Sequence, residues 1–199
     1  MSISAKDVKV LRDRTGAGMM DCKKALVETG GDLEDAIDFL RSKGAAKAAK
    51  RAEKSANEGT IGSYVHFDSR TAVIVEVNCE TDFVANTDDF KRLAKDLALH
   101  IASTAPLAVA PADISAEIVE RERRVYLKQV EEEGKPENIA DKIVEGKLNK
   151  FFKENTLLPQ PFVKNPDQTI EQLITETSAK TGEKIEVGRF ARMKVGEGA

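Results

Sequence analysis

The spacing of apolar residues changes twice along the chain, and these changes limit the folds that it can adopt. In residues 1–44 the apolar side chains recur every three or four positions, which predicts short helices. Over residues 61–77 they alternate, which predicts two strands joined by a turn at 68–70. Over residues 90–101 the helical spacing returns. The sequence therefore predicts an α+β fold.

Residues 1–44 predict a three-helix N-terminal module. Val8 and Leu11 share a face of the first helix, Asp32 caps the third helix, and Gly44 ends it. Three helices of this length can bury one small shared core. They make a compact module rather than a catalytic domain.

The rest of the chain predicts a linker and a larger core. Residues 45–59 are rich in alanine and lysine, with almost no large apolar side chains, and predict an exposed helical linker. Residues 60–199 predict a core with a three-stranded antiparallel sheet and packed helices. Within it we expect a charged helical hairpin at about 113–153, an irregular stretch with three prolines at 155–166, and a last strand at 185–195.

A three-stranded sheet leaves exposed edges, and proteins tend to cover or pair such edges. One solution is a second copy of the chain that meets the first across a twofold axis. We therefore expect a homodimer through the sheet edge, with residues 60–199 as the dimerisation domain.

The charge balance and the cysteine count exclude several classes of protein. The chain has 31 basic and 34 acidic side chains, whereas a dedicated nucleic-acid binder needs a basic excess. The two cysteines fit neither a disulfide framework nor a zinc site. The N-terminus has no apolar signal segment, and no apolar run is long enough to span a bilayer. We expect a cytoplasmic protein that contacts neither membranes nor nucleic acid directly.

No group of residues has the pattern of an enzyme site. His66 and His100 have no cysteine or carboxylate partner at metal-ligand spacing, and Cys22 and Cys79 occupy positions that look buried. The glycines at 15–18 lack the lysine of a phosphate-binding loop. We expect no catalytic residue, no metal and no cofactor. A thiol or metal enzyme centred on Cys79 or Cys22 is an alternative hypothesis, which full function after replacement of both cysteines by serine would exclude.

The basic residues between Arg41 and Lys54 leave another class of function open. They could contact RNA and make the chain a ribosome- or RNA-associated helper protein. In a chain of balanced charge, a solvated helix face is the commoner explanation for such a cluster.

The segment NCETDFVANTDDF, residues 78–90, joins a predicted strand to a predicted helix and places Phe83 beside Asp82. Apolar side chains in short connections more often pack inward, in which case Asp82 or Thr81 caps a helical turn. The alternative is that Asp82 and Phe83 project outward toward a partner, because aromatic anchors often dominate interfaces. The residues alone leave both alternatives open.

Two longer segments are specific enough to indicate a family. VKVLRDRTGAGMMDCKKAL at residues 8–26 resembles the amino-terminal signature of bacterial elongation factor Ts, and VEVNCETDFVAN at 75–86 resembles the second signature of that family. GDLEDAIDFLRSKG at 31–44 and the order of segments extend the resemblance over essentially the whole chain. Two long motifs in the right order are far more specific than one short motif.

The resemblance implies a guanine-nucleotide exchange factor that binds elongation factor Tu with its GDP and promotes GDP release, without being an enzyme itself. It also implies that the three-helix module is similar to ubiquitin-associated domains and that an α+β core follows it. The chain is similar to the short form of the family, which in relatives can pair as a dimer.

The resemblance also implies two sets of partner-binding residues. The set that contacts the GTP-binding domain of elongation factor Tu consists of Val8, Lys9, Leu11 and Arg12. The set that lies near the partner's Mg²⁺ site consists of Thr81, Asp82, Phe83 and Val84. In the second set, Phe83 would wedge between side chains of the partner. Asp82 would help to disturb the helix that orders the water shell of the metal.

Overall fold

The computed structural model describes residues 3–197, with the backbone alone at residues 137 and 138. The described α-helices are Ala5–Thr15 (α1), Met19–Glu28 (α2), Leu33–Arg51 (α3), Asp82–Ala85 (α4), Asp88–Thr104 (α5), Ala116–Glu132 (α6), Glu137–Asn155 (α7) and Ile170–Thr181 (α8). The described strands are Glu58–Val65 (β1), Thr71–Cys79 (β2), Pro161–Phe162 (β3), Asn165–Thr169 (β4) and Ile185–Lys194 (β5). The predicted α+β class is confirmed.

The chain divides into two compact units, each built from three separate segments. The first unit consists of Met1–Ile61, Glu76–Ala94 and Gln172–Val187. The second unit consists of Gly62–Val75, Lys95–Glu171 and Gly188–Ala199. The domain boundaries predicted at residues 44 and 59 stay a prediction.

Capping and apolar packing define the three amino-terminal helices. The Ser4 hydroxyl accepts from the Asp7 N–H at 3.2 Å, and the Asp7 carboxylate accepts from the Ser4 N–H at 3.1 Å, which makes a capping box. The Asp32 carboxylate caps α3 by accepting from the Asp35 N–H at 2.9 Å, as predicted. The buried side chains of the three helices form one shared core: Val8, Leu11, Cys22, Ala25, Leu26 and Ala36. The similarity to ubiquitin-associated domains stays a prediction.

The third helix continues past its predicted end at Gly44 and ends at Arg51. Gly44 is buried, and a Cβ at this position would lie 3.3 Å from the Cβ of Ala179 on α8. The glycine therefore allows two helices to approach closely and does not end one. The alanine-rich sequence that follows favours helix, so the segment predicted as a linker at 45–59 is helical up to Arg51, and β1 begins at Glu58.

Strands β1, β2 and β5 form the predicted three-stranded antiparallel sheet, in the order β1-β2-β5. The His66 N–H donates to the Thr71 carbonyl at 2.8 Å and closes the hairpin between β1 and β2. The alternate side chains of β2 are buried, as their spacing predicts: Val73, Val75, Val77 and Cys79.

In the second unit, one region agrees with its prediction and another differs from it. Helices α6 and α7 pack together as the predicted helical hairpin, around Val130, Val144 and Leu148. The stretch at 155–166, predicted as irregular, instead contributes β3 and part of β4, which pair antiparallel in a second, two-stranded sheet. Two of its three prolines lie inside these strands, where a short edge ladder tolerates them.

No helix in the described part of the chain combines the length and the apolar composition needed to cross a membrane.

Candidate partner-binding site

Helix α4 is a single turn that carries Phe83 at the surface. The Thr81 hydroxyl caps the turn by accepting from the Val84 N–H at 3.4 Å, and Ala85 on the same turn is buried. Phe83 is 82% exposed, and Asp82 beside it is also exposed. The inward packing of Phe83, one of the two alternatives left open by the sequence, is therefore wrong, whereas Thr81 does cap a helical turn.

Two carboxylates hold the backbone that leads into α4. The Glu183 carboxylate accepts from the N–H groups of Glu80 and Thr81 at 3.1 and 3.0 Å, and from the Thr81 hydroxyl at 2.6 Å. The Glu80 carboxylate accepts in turn from the Lys184 N–H at 2.7 Å and from Arg51 at 2.6 Å. The hydrogen bond from Lys184, which has the larger effect, and that from Arg51 hold the pKa of Glu80 below its ordinary value. We call this reciprocal arrangement the Glu80–Glu183 clasp.

The two cysteines are buried, as predicted, and neither is activated as a nucleophile. The Cys79 thiol donates to the Thr81 carbonyl at 3.1 Å, and burial, followed by the charge of Glu183, raises the pKa of Cys79. Burial likewise raises the pKa of Cys22, whose thiol donates to the Ala17 carbonyl at 3.6 Å. A raised pKa keeps a thiol protonated, and the protonated form is the unreactive one. This chemistry argues against the thiol-enzyme hypothesis.

The two histidines bond to neutral groups. His66 Nδ1 lies 2.9 Å from the Tyr64 hydroxyl. His100 is fully buried, and its Nδ1 accepts from the Val163 N–H at 3.3 Å, so Nε2 carries the proton toward the Gln160 side chain at 2.9 Å. Burial lowers the pKa of His100. Among the residues described, no group of three or more histidine, cysteine or carboxylate side chains is arranged to hold a metal ion.

Helix α1 presents its four predicted contact residues differently. Val8 and Leu11 lie in the core of the three-helix module, and Leu11 is fully buried. Lys9 and Arg12 are exposed on the same helix. The structure therefore places only Lys9 and Arg12 where a partner could touch their side chains, while Val8 and Leu11 hold the helix that carries them.

Two exposed methionines at the start of α2 were not singled out from the sequence. Met19 and Met20 are 59% and 64% exposed. Methionine side chains adapt to irregular apolar surfaces and are common at binding sites. Helical spacing predicts that Met19 lies on the same face of α2 as the buried Cys22, so its exposure could not be predicted. Met20 lies off that buried face, and its position alone could have indicated an exposed apolar surface.

Most of the basic cluster between Arg41 and Lys54 is already paired with carboxylates of the first unit. The pairs are Arg41–Glu176 at 3.5 Å, Lys43–Asp21 and Lys47–Asp21 at 3.2 Å each, and Arg51–Glu80 at 2.6 Å. Paired cations are less available to neutralise phosphates. The RNA-binding alternative is weakened accordingly.

An exposed aromatic ring on a firmly held turn is typical of a surface that docks on another protein, and so, separately, are exposed methionines. These features are those expected of a protein-docking factor. The sequence model of the family described as Elongation factor TS matches residues 9–197. The chain belongs to the elongation factor Ts family, and the family predicted from the two signature segments is confirmed.

Several bacterial relatives match over nearly their full length. The chain is 57% identical over 196 residues to elongation factor Ts of Desulfosudis oleivorans, covering 98% of this chain and 99% of the relative. It is 55% identical to elongation factor Ts of Syntrophobacter fumaroxidans, covering 98% of each chain. It is 53% identical to elongation factor Ts of Geobacter sulfurreducens, covering 100% of this chain and 92% of the relative.

Proposed function

We propose that this chain is a guanine-nucleotide exchange factor that binds elongation factor Tu with its GDP and promotes GDP release in translation elongation. It acts in the cytoplasm, where elongation takes place, and it is not an enzyme. Family membership supports this proposal. The observation that carries its mechanism is the 82% exposure of Phe83, because an enclosed ring could not reach a partner.

The mechanism requires no acid, base or nucleophile from this chain. Bound GDP is held by phosphate contacts and by Mg²⁺, which demands near-ideal octahedral geometry. Displacement of the elements that order the waters of the metal therefore weakens the nucleotide. The exchange factor needs only to bind the metal-free, loosened state better than the loaded state. The coupling is reciprocal, so bound nucleotide weakens the exchange factor by the same factor.

The proposed aromatic anchor can supply about half or more of the required free energy. Acceleration of GDP release by about a thousandfold requires about 4 kcal/mol of preference for the altered state. A single aromatic anchor such as Phe83 can supply about 2 kcal/mol or more. Exposed charges such as Lys9 and Arg12 contribute mainly to the rate and orientation of association.

Release of a fluorescent GDP analogue from elongation factor Tu, measured by stopped flow with and without this chain, tests the function. The expected result is a rate constant that rises with the concentration of the chain and saturates about a thousandfold above the spontaneous rate. An unchanged release rate would contradict the proposal. RNA binding with a steep salt dependence would then favour the RNA-associated helper.

Asp82→Ala is expected to change how exchange depends on magnesium. The exposed Asp82 carboxylate lies beside Phe83 and would disturb the groups of the partner that order the waters of Mg²⁺. Its loss should therefore matter most where free Mg²⁺ is scarce enough, or abundant enough, to shift the metal equilibrium. The measurement is the GDP release rate over a series of free Mg²⁺ concentrations. Asp141→Ala, which removes an exposed carboxylate of α7, is the control and should follow the wild type. A constant ratio of Asp82→Ala to wild type at every concentration removes Asp82 from the mechanism.

We also propose that two copies of the chain pair through the three-stranded sheet. Within the second unit, each strand of this sheet exposes one apolar side chain. Val65 of β1 is 64% exposed, Ile74 of β2 is 55% exposed and Met193 of β5 is 76% exposed. Apolar side chains grouped on a sheet favour burial against a partner surface. Size-exclusion chromatography with light scattering should give a dimer at micromolar concentration and a monomer for Met193→Lys. A monomer of the wild type would contradict the pairing.

A further inference from the structure

We propose that Glu183 is a positioning residue for nucleotide exchange: through the Glu80–Glu183 clasp it sets the direction in which α4 presents Phe83. This inference rests on the proposed function, because it assigns a role in that same site. Glu183 lies 102 positions from Thr81 in the sequence, outside both signature segments.

The contacts of Glu183 fix the backbone that leads into α4. One oxygen, Oε2, accepts both the Glu80 and the Thr81 N–H, and the other, Oε1, accepts the Thr81 hydroxyl proton. Because that proton points at Glu183, a lone pair of the Thr81 hydroxyl faces the Val84 N–H and caps the turn. Hydrogen bonds to a charged acceptor are roughly twice as strong as neutral ones. A single helical turn is not stable by itself, so these bonds determine whether α4 keeps its direction.

Glu183 is itself held firmly in place. It follows Gly182, whose φ of +75° lets the chain turn sharply after α8. The Ser178 hydroxyl donates to the Glu183 carbonyl, and the next residue, Lys184, donates its N–H to Glu80. The acceptor is thus preorganised before any partner arrives.

Phe83 depends on this support because it has little packing of its own. A ring that is 82% exposed takes its direction from the backbone that carries it. Of α4, Ala85 is buried and anchors one side of the turn. The Glu183 carboxylate, which already accepts three hydrogen bonds, acts on the partner only through α4.

A double-mutant cycle on Glu183 and Phe83 tests the proposal. The measurement is the maximal rate of GDP release from elongation factor Tu at saturating concentrations of the wild type, Glu183→Ala, Phe83→Ala and the double variant. Glu183→Ala alone should lower the rate about tenfold, because three charge-assisted hydrogen bonds are lost. In the Phe83→Ala background the same change should lower it less than about twofold, because no ring is left to position.

Two further variants separate positioning from loss of the fold. Glu183→Gln keeps an acceptor for the two N–H groups and can donate to Thr81, so its rate should lie between those of the wild type and Glu183→Ala. Glu176→Ala removes the partly exposed ion pair of α8 with Arg41 and should keep the wild-type rate. If Glu183→Ala does not fold, as judged by circular dichroism, Thr81→Val replaces it in the same cycle.

Equal losses in both backgrounds would show a general structural role and overturn the positioning role. So would a wild-type rate for Glu183→Ala while Phe83→Ala is impaired. A wild-type chain that does not accelerate GDP release would instead overturn the proposed function. A Phe83→Ala variant with the full rate would overturn the role of Phe83 as the anchor. Either result would overturn the positioning role as well. The four rates of the cycle distinguish these failures.

Discussion

Phe83→Ala is expected to lower the rate of GDP release about 30-fold or more while the chain keeps its wild-type stability. An interface anchor worth about 2 kcal/mol corresponds to a factor of about 30. Because the ring is 82% exposed, its removal leaves no cavity, and the free energy of unfolding should change by less than about 0.5 kcal/mol. Stopped-flow release of fluorescent GDP and urea unfolding measure the two quantities.

Phe67→Ala is the matched control for this experiment. Phe67 is 91% exposed and lies in the turn between β1 and β2, so its loss removes the same side chain from another surface. We expect the full exchange rate for this variant. Equal losses for both variants would show a nonspecific effect of apolar surface, and strong destabilisation by Phe83→Ala would show that the ring packs inward after all.

Leu11→Ala is expected to destabilise the three-helix module by about 2–5 kcal/mol. Leu11 is fully buried in the core that Val8, Cys22 and Leu26 share, and truncation leaves a cavity there. Urea unfolding followed by circular dichroism measures the loss. Exchange should fall as well, because helix α1 no longer holds Lys9 and Arg12 in place.

Lys9→Ala and Arg12→Ala provide the comparison that separates contact from support. Both side chains are exposed, so the free energy of unfolding should stay within about 0.5 kcal/mol of the wild type. Their association with elongation factor Tu should slow at low salt and approach the wild type at high salt. A stable Leu11→Ala variant, or unchanged association of both charge variants, would contradict this division of roles.

The sequence predicts best where local patterns and local caps agree. The alternation in β2 and the helical spacing of α1, α2 and α5 each follow from buried side chains near one another in the chain, whereas the alternating Ile61 and Val65 of β1 are exposed. Caps such as Asp32 reinforce them. These elements are sufficient for the fold class and for the three-stranded sheet.

The fold predictions fail where a residue acts through a distant contact. Glycine is common at helix ends, which is why Gly44 predicts one. In the structure its small size instead allows a close approach to Ala179, 135 positions later in the sequence. Strands β3 and β4 are short and contain prolines, so no alternation indicates them. In both cases tertiary packing overrides the local preference.

The sequence predicts the site only in part, because the site also depends on contacts between residues far apart in the chain. The backbone that leads into α4 is bonded to Glu183, far away in the sequence, and residues 78–90 alone do not contain that contact. They therefore could not decide between an inward and an outward Phe83. The burial of Val8 and Leu11 was available from their shared helix face. The resemblance to the family identified the segment around them but did not distinguish its buried face from its exposed face.

A photocrosslink from position 83 tests the central claim most directly, because it reports whether the exposed ring touches the partner. Phe83→p-benzoylphenylalanine, irradiated with nucleotide-free elongation factor Tu, should form a covalent adduct in the nucleotide-binding domain of that protein. Excess GDP and Mg²⁺ should suppress the adduct, because the coupling between partner and nucleotide is reciprocal. The same substitution at Phe67 should form none. No adduct from position 83, or one that GDP and Mg²⁺ leave unchanged, would contradict the account.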